Sequence, residues 1–437
     1  MKNLQDSNKR IKIFFLAWGY SIHAYRRISI FAEDPNFEVA LASTFPYKIP
    51  NVRFYALTNA KIIEHSLNKT SKIVSKSEQI YLKRIRTGIK KFIMYIYSFL
   101  KKLIIKTHLL DEISADTLYD ISIFLRDRKI LQNAVKDFQP NIIFLQTVLY
   151  PSYLAFCLPK SLPIVITFWN GDITWWAKWN GIDRLLKKKI VKHAVKRAKS
   201  ITVNSQTALE KARTYGAELK KIHLIRYPGV DLNVFYPRSK QEARKKLNIS
   251  KKQVILWPRG IADYLNFDIF LKAIFKILPK NPNILILILS KVGMEHTEKI
   301  KKVISEKGFE QNFNWILQVK SEDMPWYYAA SDIMVSISSN DSFPNVMAEA
   351  MACGTLVIMG DIPQIREIIK DQINGFLVKP KDVDQLANLI NKIFNNQYKK
   401  QIEHIINSNL TLAKNKFDKQ LNSKIIKELI KKLVNTN

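Results

Sequence analysis

Residues 336–360 read SISSNDSFPNVMAEAMACGTLVIMG, and this stretch decides the fold. The apolar run Ile333–Ile337 predicts a buried parallel strand, and Leu356–Met359 predicts the next one. Between them, Asn345–Cys353 predicts a helix with Pro344 at its first position and a glycine as its stop. The stretch therefore predicts strand, loop, helix and strand, the unit from which open α/β sheets are built.

Two carboxylates stand eight residues apart in this stretch: Asp341 on the loop and Glu349 along the helix. Ligands of open α/β sheets bind outside the carboxyl ends of the strands, and a helix N-terminus favours an anionic ligand. Both side chains can face one pocket there. The alternative is that Asp341 caps the helix and Glu349 is a solvated helix residue.

The segment DSFPNVMAEAMACG, residues 341–354, resembles the E-x7-E signature of the large retaining glycosyltransferase family of GT-B fold, family four. The resemblance implies that Glu349 meets the nucleotide ribose and that Asp341, one methylene shorter than the usual Glu, approaches the donor sugar. We identify the chain as a member of that family. Further donor-site residues are predicted at Ser342, Pro344, Asn345 and Val319.

Composition supports a multidomain protein with an anionic partner. The 437 residues are 47% hydrophobic, which is ample for folded cores, and predict two or three domains. Lys plus Arg number 70 against 37 acidic residues, a formal charge of +33. Such a charge predicts a membrane surface, nucleic acid or phosphorylated substrate as partner. No basic motif of known groove-reading geometry is present, so nucleic acid is not expected.

Cysteine usage and hydropathy bear on the compartment. Cys157 and Cys353 are far apart and lack a C-x2-C partner, so neither a disulfide framework nor a zinc site is predicted and a reducing compartment fits. The apolar run Ile11–Ala17 predicts a first strand rather than a signal peptide. No run approaches the ~18 apolar residues that a bilayer span requires, so we expect no transmembrane helix.

The first 43 residues predict a βαβ unit. Gly19 follows the first strand, where a glycine lets the backbone approach a phosphate. The sequence from Ile11 to Ser43 resembles the first βαβ unit of the same family, including a His and a basic pair after the loop. That resemblance makes His23 a candidate contact near the acceptor. The alternative is a structural histidine.

A second turn, TFWNGD at 167–172, follows another predicted strand. The family often has a His at this turn, beside the acceptor and sugar; here Trp169 takes that place and Asp172 is kept. Trp169, Trp175 and Trp176 are candidates to stack on a sugar or to meet lipid. Core packing, the commoner fate of aromatic residues, is the alternative.

Two basic segments predict membrane contact. Residues 83–106 hold eight basic and no acidic residues around FIMYIYSFL, the composition of an interfacial helix. A core helix with solvated ends is the alternative. Arg184–Lys199 predicts a second basic helix, with Leu186, Ile190 and Ala194 on its apolar face. We therefore predict a cytoplasmic protein, peripheral on the inner face of the cell membrane.

The second half restarts the alternation of strands and helices. Arg259 follows the predicted strand Val254–Trp257, and guanidinium is the preferred bidentate partner of phosphate. In the family this Arg and a Lys about five residues on clamp the donor diphosphate. Here the downstream residues, IADYLNFD, contain no Lys. Backbone N–H groups or Tyr264 are candidates to supply the missing stabilisation.

The resemblance implies an α/β GT-B fold: two Rossmann-like, doubly wound domains facing a cleft. We predict an acceptor domain at 1–237, a linker at 238–252, a nucleotide-sugar domain at 253–400 and a C-terminal helix at 401–437 that crosses back. The implied activity is transfer of a hexose-type sugar from a nucleotide sugar to a glycan or lipid-linked acceptor, with retention and without metal or cofactor. Alternatives are a sugar-nucleotide epimerase and an inactive scaffold that binds an anionic polymer.

Overall fold

The computed structural model describes residues 10–19, 21–69, 115–148, 150–169, 181–226, 228–251, 253–289, 294–317 and 319–435. These residues form two parallel sheets, each covered by helices. The chain divides into two compact units. Unit 1 comprises Met1–Asn204, Ala208–Ile225 and Ile425–Asn437, and unit 2 comprises Ser205–Thr207 and Arg226–Lys424.

The sheet of unit 1 has seven strands in the order β3-β2-β1-β4-β5-β6-β7. All of its neighbouring strands pair in parallel. The order reverses between β1 and β4, which makes the sheet doubly wound. Its strands are β1 (Ile11–Ala17), β2 (Phe37–Ser43), β3 (Val52–Ala56), β4 (Ile142–Leu145), β5 (Ile164–Phe168), β6 (Ser200–Val203) and β7 (Ile222–Leu224).

The sheet of unit 2 repeats this design with six parallel strands in the order β10-β9-β8-β11-β12-β13. Its switch point lies between β8 and β11. The strand β9 reads ILILIL and is buried throughout, as a strand covered on both faces requires. The strands are β8 (Gln253–Trp257), β9 (Ile284–Leu289), β10 (Phe313–Ile316), β11 (Ile333–Ser336), β12 (Leu356–Gly360) and β13 (Phe376–Val378).

Helices connect the strands of both sheets. In unit 1 and at its borders they are α1 (Ile22–Ala32), α2 (Thr58–Lys69), α3 (Ala115–Phe138), α4 (Gly181–Arg197) and α5 (Gln206–Thr214). In the second half they are α6 (Lys240–Lys246), α7 (Phe267–Ile277), α8 (Met294–Glu306), α9 (Met324–Ala330), α10 (Asn345–Ala352), α11 (Pro363–Arg366), α12 (Val383–Phe394), α13 (Lys399–Leu412) and α14 (Lys419–Asn435). The short 3₁₀ turns are Ser152–Cys157, Leu219–Lys221, Asp263–Leu265, Leu278–Lys280 and Glu310–Asn312, and Ala413–Phe417 is π-helical.

The boundary between the units falls before the predicted end of the first domain at residue 237. Val230 belongs to unit 2 because its N–H donates to the carbonyl of Phe417 over 2.6 Å and its carbonyl accepts from Lys419 N over 2.8 Å. Gly229 precedes it, and only a glycine fits there because a Cβ would lie 2.4 Å from the Phe417 carbonyl oxygen. The end of the chain, from Ile425 on, is counted with unit 1.

The stretch 238–252, predicted as a linker, instead contains helix α6. Ser239 caps it by accepting a hydrogen bond from Glu242 N, and Ala243 packs against Ala330. Arg244 donates to Asp332 over 2.8 Å. An apolar residue and an ion pair anchor this helix, which the polar composition concealed. Within the ranges described above, no helix is long and apolar enough to cross a membrane.

Candidate functional site

The candidate site lies in unit 2, at the switch point of its sheet. Strands β8 and β11 are neighbours, so the loops that leave their carboxyl ends start side by side. The first loop carries Arg259 and the second carries Asp341. Arg259 Nη1 donates to Asp341 Oδ2, and both side chains are largely buried, at 18% and 13% exposure. The fold thus joins two residues that stand 82 positions apart.

Asp341 is tied into its own loop as well. Its Oδ1 accepts from the backbone N–H of Ser342 over 2.9 Å, and its Oδ2 accepts from Ser338 Oγ over 3.3 Å. The N-cap position of α10 is Pro344, and no side chain caps this helix. The capping alternative for Asp341 is therefore wrong, and Pro344 precedes the helix instead of opening it.

A close backbone approach fixes the root of the Asp341 loop. A Cβ on Gly360, the last residue of β12, would lie 2.6 Å from the carbonyl oxygen of Ser338. Only glycine fits at that distance, since real Cβ contacts are longer. Gly360 therefore lets the loop pass directly over the end of its neighbouring strand.

Glu349 is a buried carboxylate on α10, 8% exposed. Its Oε2 accepts a hydrogen bond of 2.9 Å from the hydroxyl of Tyr328, a fully buried residue of α9. Tyr328 is fixed in turn by Thr355, whose hydroxyl donates to the Tyr328 carbonyl over 2.8 Å. A solvated Glu349 is thus excluded by its burial.

Burial dominates the electrostatics around Glu349. It raises the pKa of the Tyr328 hydroxyl well above its usual value, and the neighbouring carboxylate of Glu349 adds to that shift. Burial and Glu349 likewise raise the pKa of Cys353, one helical turn further on. Tyr328 therefore stays protonated and remains a hydrogen-bond donor to Glu349.

The other predicted donor-site residues differ in their exposure. Ser342 and Asn345 are half-buried, and Pro344 is buried. Val319 is partly buried and packs against the core under α10. Tyr264, the candidate substitute for the missing Lys, is 39% exposed, and its carbonyl accepts from Ser339 N over 2.7 Å. Within the described residues, no three His, Cys, Asp or Glu side chains could hold a metal ion together.

Sequence reasoning missed Asn266 and Tyr328 at this site. The Asn266 amide donates to Ile337 O and to Ser339 Oγ, each over 2.7 Å. The signal for Asn266 was its position before a helix in IADYLNFD, where asparagine adopts left-handed backbone angles readily. Tyr328 was predicted only as part of a short helix that resembles the family's YY-x-x-(A/S)-D segment. Its hydrogen bond to Glu349, 21 residues away, gave no signal in the sequence.

In unit 1, the first turn is closed by its own hydrogen bonds. Gly19 has the left-handed φ of +52°. Its N–H donates to Thr44 Oγ1 over 2.8 Å, and its carbonyl accepts from the Tyr47 hydroxyl. Tyr47 also accepts from Ser21 N over 2.7 Å. Both backbone groups of Gly19 are thus hydrogen-bonded within the protein, which does not favour the predicted approach of a phosphate to this glycine.

His23 lies beside Trp169, with ring centroids 5.4 Å apart. The guanidinium of Arg27 lies 4.9 Å from the centroid of the Trp169 ring, and Arg27 donates to Thr167 Oγ1. Trp169 donates in turn to the carbonyl of Gln146. The structure therefore joins His23 of α1 and Trp169, the residue after β5, in one cluster. The predicted residues Asp172, Trp175 and Trp176 lie outside the described residues.

The basic helix is α4, whose buried face differs from the prediction. Val191, Ala194 and Val195 are buried, and so is Lys187, whose ammonium lies 5.7 Å from the Tyr153 ring centroid. Leu185 is 61% exposed and Leu186 is also exposed. Leu186 was thus wrongly placed on the apolar face, because the helix is rotated so that Lys187 packs on an aromatic ring. The other basic segment, residues 83–106, lies outside the described residues.

Two doubly wound parallel sheets are the architecture of the GT-B fold, and comparisons with solved structures agree. Sucrose-phosphate synthase from Thermosynechococcus elongatus has a TM-score of 0.72 at 15% identity, over 98% of this chain and 100% of that chain. Anabaena HepE, solved with UDP and with UDP-glucose, has a TM-score of 0.67 in its UDP complex, at 16% identity over 97% of this chain and 100% of that chain. These likenesses confirm the predicted fold class.

Sequence models identify the family. The model for glycosyl transferases group 1 matches residues 239–410, and the model for glycosyltransferase family 4 matches residues 107–234. The chain belongs to the group 1 glycosyltransferases, as the resemblance predicted. D-inositol 3-phosphate glycosyltransferase from Nocardioides sp. is 26% identical over 196 residues. That match covers 42% of this chain and 43% of the relative, so less than half of the relative's length is spanned.

Proposed function

We propose that the protein transfers a hexose-type sugar from a nucleoside diphosphate sugar to a glycan or lipid-linked acceptor, with retention of configuration. The observation that carries this proposal is the pairing of Arg259 with Asp341 at the switch point of the unit 2 sheet. Membership of the group 1 glycosyltransferases and the UDP complexes of HepE support a nucleotide sugar as donor. Cell-surface polysaccharide or glycolipid synthesis is the pathway we propose.

Glu349 is the proposed ribose contact. A carboxylate accepts two hydrogen bonds from a vicinal diol, and hydrogen bonds to charged groups contribute about 1.5–3 kcal/mol each. The Tyr328 hydroxyl holds one carboxylate oxygen at 2.9 Å, which fixes the orientation of the group before the nucleotide arrives. A preoriented carboxylate loses less side-chain entropy when it binds.

Arg259 is the proposed diphosphate contact. A guanidinium has five N–H donors, and the contact with Asp341 involves Nη1 alone. The remaining donors suffice for a bidentate contact with phosphate oxygens. Negative charge grows on the leaving diphosphate as the glycosidic bond breaks, so a fixed cation there lowers the barrier. Asp341 thereby orients Arg259 in addition to its proposed approach to the donor sugar.

A panel of donors tests the proposal directly. The protein is incubated with UDP-glucose, UDP-N-acetylglucosamine and GDP-mannose, and release of the nucleoside diphosphate is followed. A glycosyltransferase releases it faster once a glycan or lipid-linked acceptor is added, and proton NMR of the product reports the anomer. Release of free epimerised sugar without acceptor would indicate the epimerase instead. Nucleotide binding without any release would indicate an inactive scaffold.

Metal independence is part of the proposal and rests on the family resemblance. We expect release of nucleoside diphosphate to be unchanged within about twofold when EDTA is added, since a cationic side chain takes the place of the ion at the diphosphate. Recovery of lost activity by Mg²⁺ or Mn²⁺ would show that the reaction requires a metal.

Peripheral attachment to an anionic membrane is the proposed setting, with unit 1 holding the acceptor. On α4, the exposed Leu185 and Leu186 stand beside the exposed cations Arg184, Lys188 and Lys189. Each such cation near an anionic leaflet contributes about 1 kcal/mol, and exposed leucines add apolar burial. Residues 83–106 supply a second basic segment in the sequence.

Vesicle sedimentation tests this setting. We expect binding to vesicles of phosphatidylserine and phosphatidylcholine but not to phosphatidylcholine alone, and release by salt because exposed charges are screened within about 8 Å. Leu185→Ser with Leu186→Ser should weaken binding, whereas Ile373→Ser, of similar exposure in unit 2, should not. Equal binding to both vesicle types would exclude the electrostatic mechanism.

A further inference from the structure

Asn266 connects the two loops that carry Arg259 and Asp341. Its side-chain amide donates to the carbonyl of Ile337 and to the hydroxyl of Ser339, both over 2.7 Å. An amide NH₂ group has two N–H donors, so each contact uses one of them. The backbone adds a third link, from Ser339 N to the carbonyl of Tyr264 over 2.7 Å.

The conformation of Asn266 suits this position. The residue is 4% exposed and has the left-handed angles φ 57° and ψ 41°. Glycine and asparagine adopt this region at low cost, while a β-branched or bulky residue does not. Asn266 stands at the N-cap of α7, yet its side chain makes no capping hydrogen bond. Its amide is directed at the neighbouring loop instead of at its own helix.

The three links join the two loops near their charged residues. Ser339 is two residues from Asp341, and Asn266 closes the loop that begins with Arg259 at the end of β8. On the other side, Gly360 lets the Ser338 carbonyl rest against the end of β12. The Asp341 loop is therefore held from two directions.

We propose that Asn266 is a positioning residue that sets the spacing between Arg259 and Asp341. This inference rests on the proposed function, in which those residues meet the donor diphosphate and sugar. A fixed spacing places the cation where charge develops in the transition state, which accelerates the reaction more than it tightens ground-state binding. Misplacement by about 1 Å can cost roughly 10²-fold in rate.

The chain offers a matched control. Asn266→Gly keeps a left-handed backbone and removes both amide donors. Asn248→Gly makes the same exchange at an exposed asparagine with φ 55°, which lies before strand β8 and outside both loops. Ser339→Ala removes one of the two side-chain acceptors and leaves the backbone link in place. Comparing these variants separates the loss of the Asn266 amide hydrogen bonds from the general effect of a new glycine.

Two readouts decide the inference. With whichever of UDP-glucose, UDP-N-acetylglucosamine or GDP-mannose the wild type turns over, Asn266→Gly should lower kcat at least about tenfold and change the donor KM less than about threefold. Ser339→Ala should fall between it and the wild type, and Asn248→Gly should match the wild type. A change confined to KM would overturn the positioning role.

Amide hydrogen exchange provides the readout that does not need turnover. Residues 337–343 should exchange faster in Asn266→Gly than in the wild type or Asn248→Gly, because the loop has lost its two hydrogen bonds to the Asn266 amide. Unchanged exchange in this segment would overturn the inference even in an active enzyme. A wild type that releases no nucleoside diphosphate from any donor contradicts the proposed function, whereas faster exchange in the same protein still shows that Asn266 holds the loop.

Discussion

The two units place similar turns at the same point of similar sheets and stabilise them differently. In unit 1, the turn after β1 is closed by neutral hydroxyl groups, those of Thr44 and Tyr47, which bind both backbone groups of Gly19. In unit 2, the loop after β8 presents a cation, Arg259, that pairs with Asp341 from the loop after β11. In unit 1 the backbone groups of Gly19 are already hydrogen-bonded to neutral side chains, so this turn contributes to the fold. In unit 2 the Arg259 guanidinium has further N–H donors for an anionic ligand.

Buried carboxylates show the same difference. Asp127 of α3, in unit 1, is fully buried and accepts from Thr58 N over 2.9 Å and from the hydroxyls of Thr58 and Tyr150. These three donors tie the start of α2 to the segment after β4. Glu349, in unit 2, stands instead on the helix that follows the Asp341 loop, where ligands of such sheets bind. We therefore propose that Asp127 stabilises the fold and that Glu349 binds the ligand.

The largest expected effect follows from removing the cation. Arg259→Ala should lower turnover about 10²- to 10³-fold, as loss of a preorganised transition-state donor does, with a smaller change in donor affinity. Arg259→Lys should restore little, because a point charge does not reproduce the bidentate fork. Steady-state kinetics with the active donor measures both.

Arg366→Ala is the matched control for Arg259. It breaks another Arg–Asp pair of unit 2, between the exposed Arg366 and the carboxylate of Asp361. Turnover in that variant should stay near the wild-type value. If Lys at position 259 supports full turnover, the bidentate role of Arg259 is wrong.

Glu349→Gln should weaken nucleoside diphosphate binding at least about tenfold, because charged hydrogen bonds to the ribose become neutral ones. Calorimetric titration with UDP and GDP measures the affinity. The melting temperature should change little, since Gln keeps the size of the side chain. Glu306→Gln, on α8 away from the site, is the control, and an unchanged affinity in Glu349→Gln would refute the ribose contact.

Tyr328→Phe should weaken nucleotide binding about three- to tenfold, a smaller effect that reports the orientation of Glu349. The variant deletes the 2.9 Å hydrogen bond to the carboxylate, and a hydrogen bond contributes about 1 kcal/mol net. Tyr327→Phe removes a hydroxyl from the adjacent residue and should leave the affinity unchanged. Equal losses in the two variants would mean that helix α9 acts through packing and not through this bond.

The sequence predicted the repeating units well and the cross-links poorly, for a physical reason. Apolar runs such as ILILIL and the strand–loop–helix unit at 336–360 depend on neighbours in sequence, so their periodicity reveals them. Asn266 meets Ile337 over 71 positions, and Arg27 meets Thr167 over 140. Such contacts depend on strand order, which composition does not encode. The helix at 240–246 was missed because Ala243 is its one buried residue and the rest of its sequence is polar.

The pairing of Arg259 with Asp341 shows what a family motif predicts and what it does not. The resemblance assigned both residues to the donor, one to the diphosphate and one to the sugar. It did not predict that they bind each other, because Asp341 replaces the usual longer side chain and the downstream Lys is absent. Their contact is therefore a property of this chain that only the folded structure reveals.

Asp127 gives the pH-dependent prediction. Burial raises the pKa of its carboxyl, so the folded state prefers the protonated form. The resulting stabilisation is fully present below the unfolded pKa of about 3.9 and is lost as pH rises through the folded pKa. Asp127→Asn keeps the shape without the charge. The free energy of unfolding of the variant minus that of the wild type should therefore increase as pH rises from about 4 to 7. Urea unfolding at each pH measures this difference.

Asp137→Asn is the control for that comparison. Asp137 also lies on α3, but it is half-exposed and pairs with Arg53 over 2.7 Å. Its variant should not gain on the wild type as pH rises, because the exchange removes an ion pair rather than a desolvated charge. If the difference in free energy of unfolding between Asp127→Asn and the wild type does not change with pH, burial does not disfavour the ionised form of Asp127.

The smallest expected effect concerns the turn of unit 1. Thr44→Val removes the acceptor of the Gly19 N–H and keeps the side-chain shape, so the half-buried N–H must donate to water instead. We expect the free energy of unfolding to fall by about 1 kcal/mol, the usual loss for one hydrogen bond, and the affinity for UDP and GDP to stay constant. Thr214→Val, at the exposed end of α5, should change neither quantity. If Thr44→Val instead alters nucleotide affinity several-fold, the turn of unit 1 takes part in phosphate binding after all, and the division between a neutral turn for the fold and a charged turn for the ligand fails.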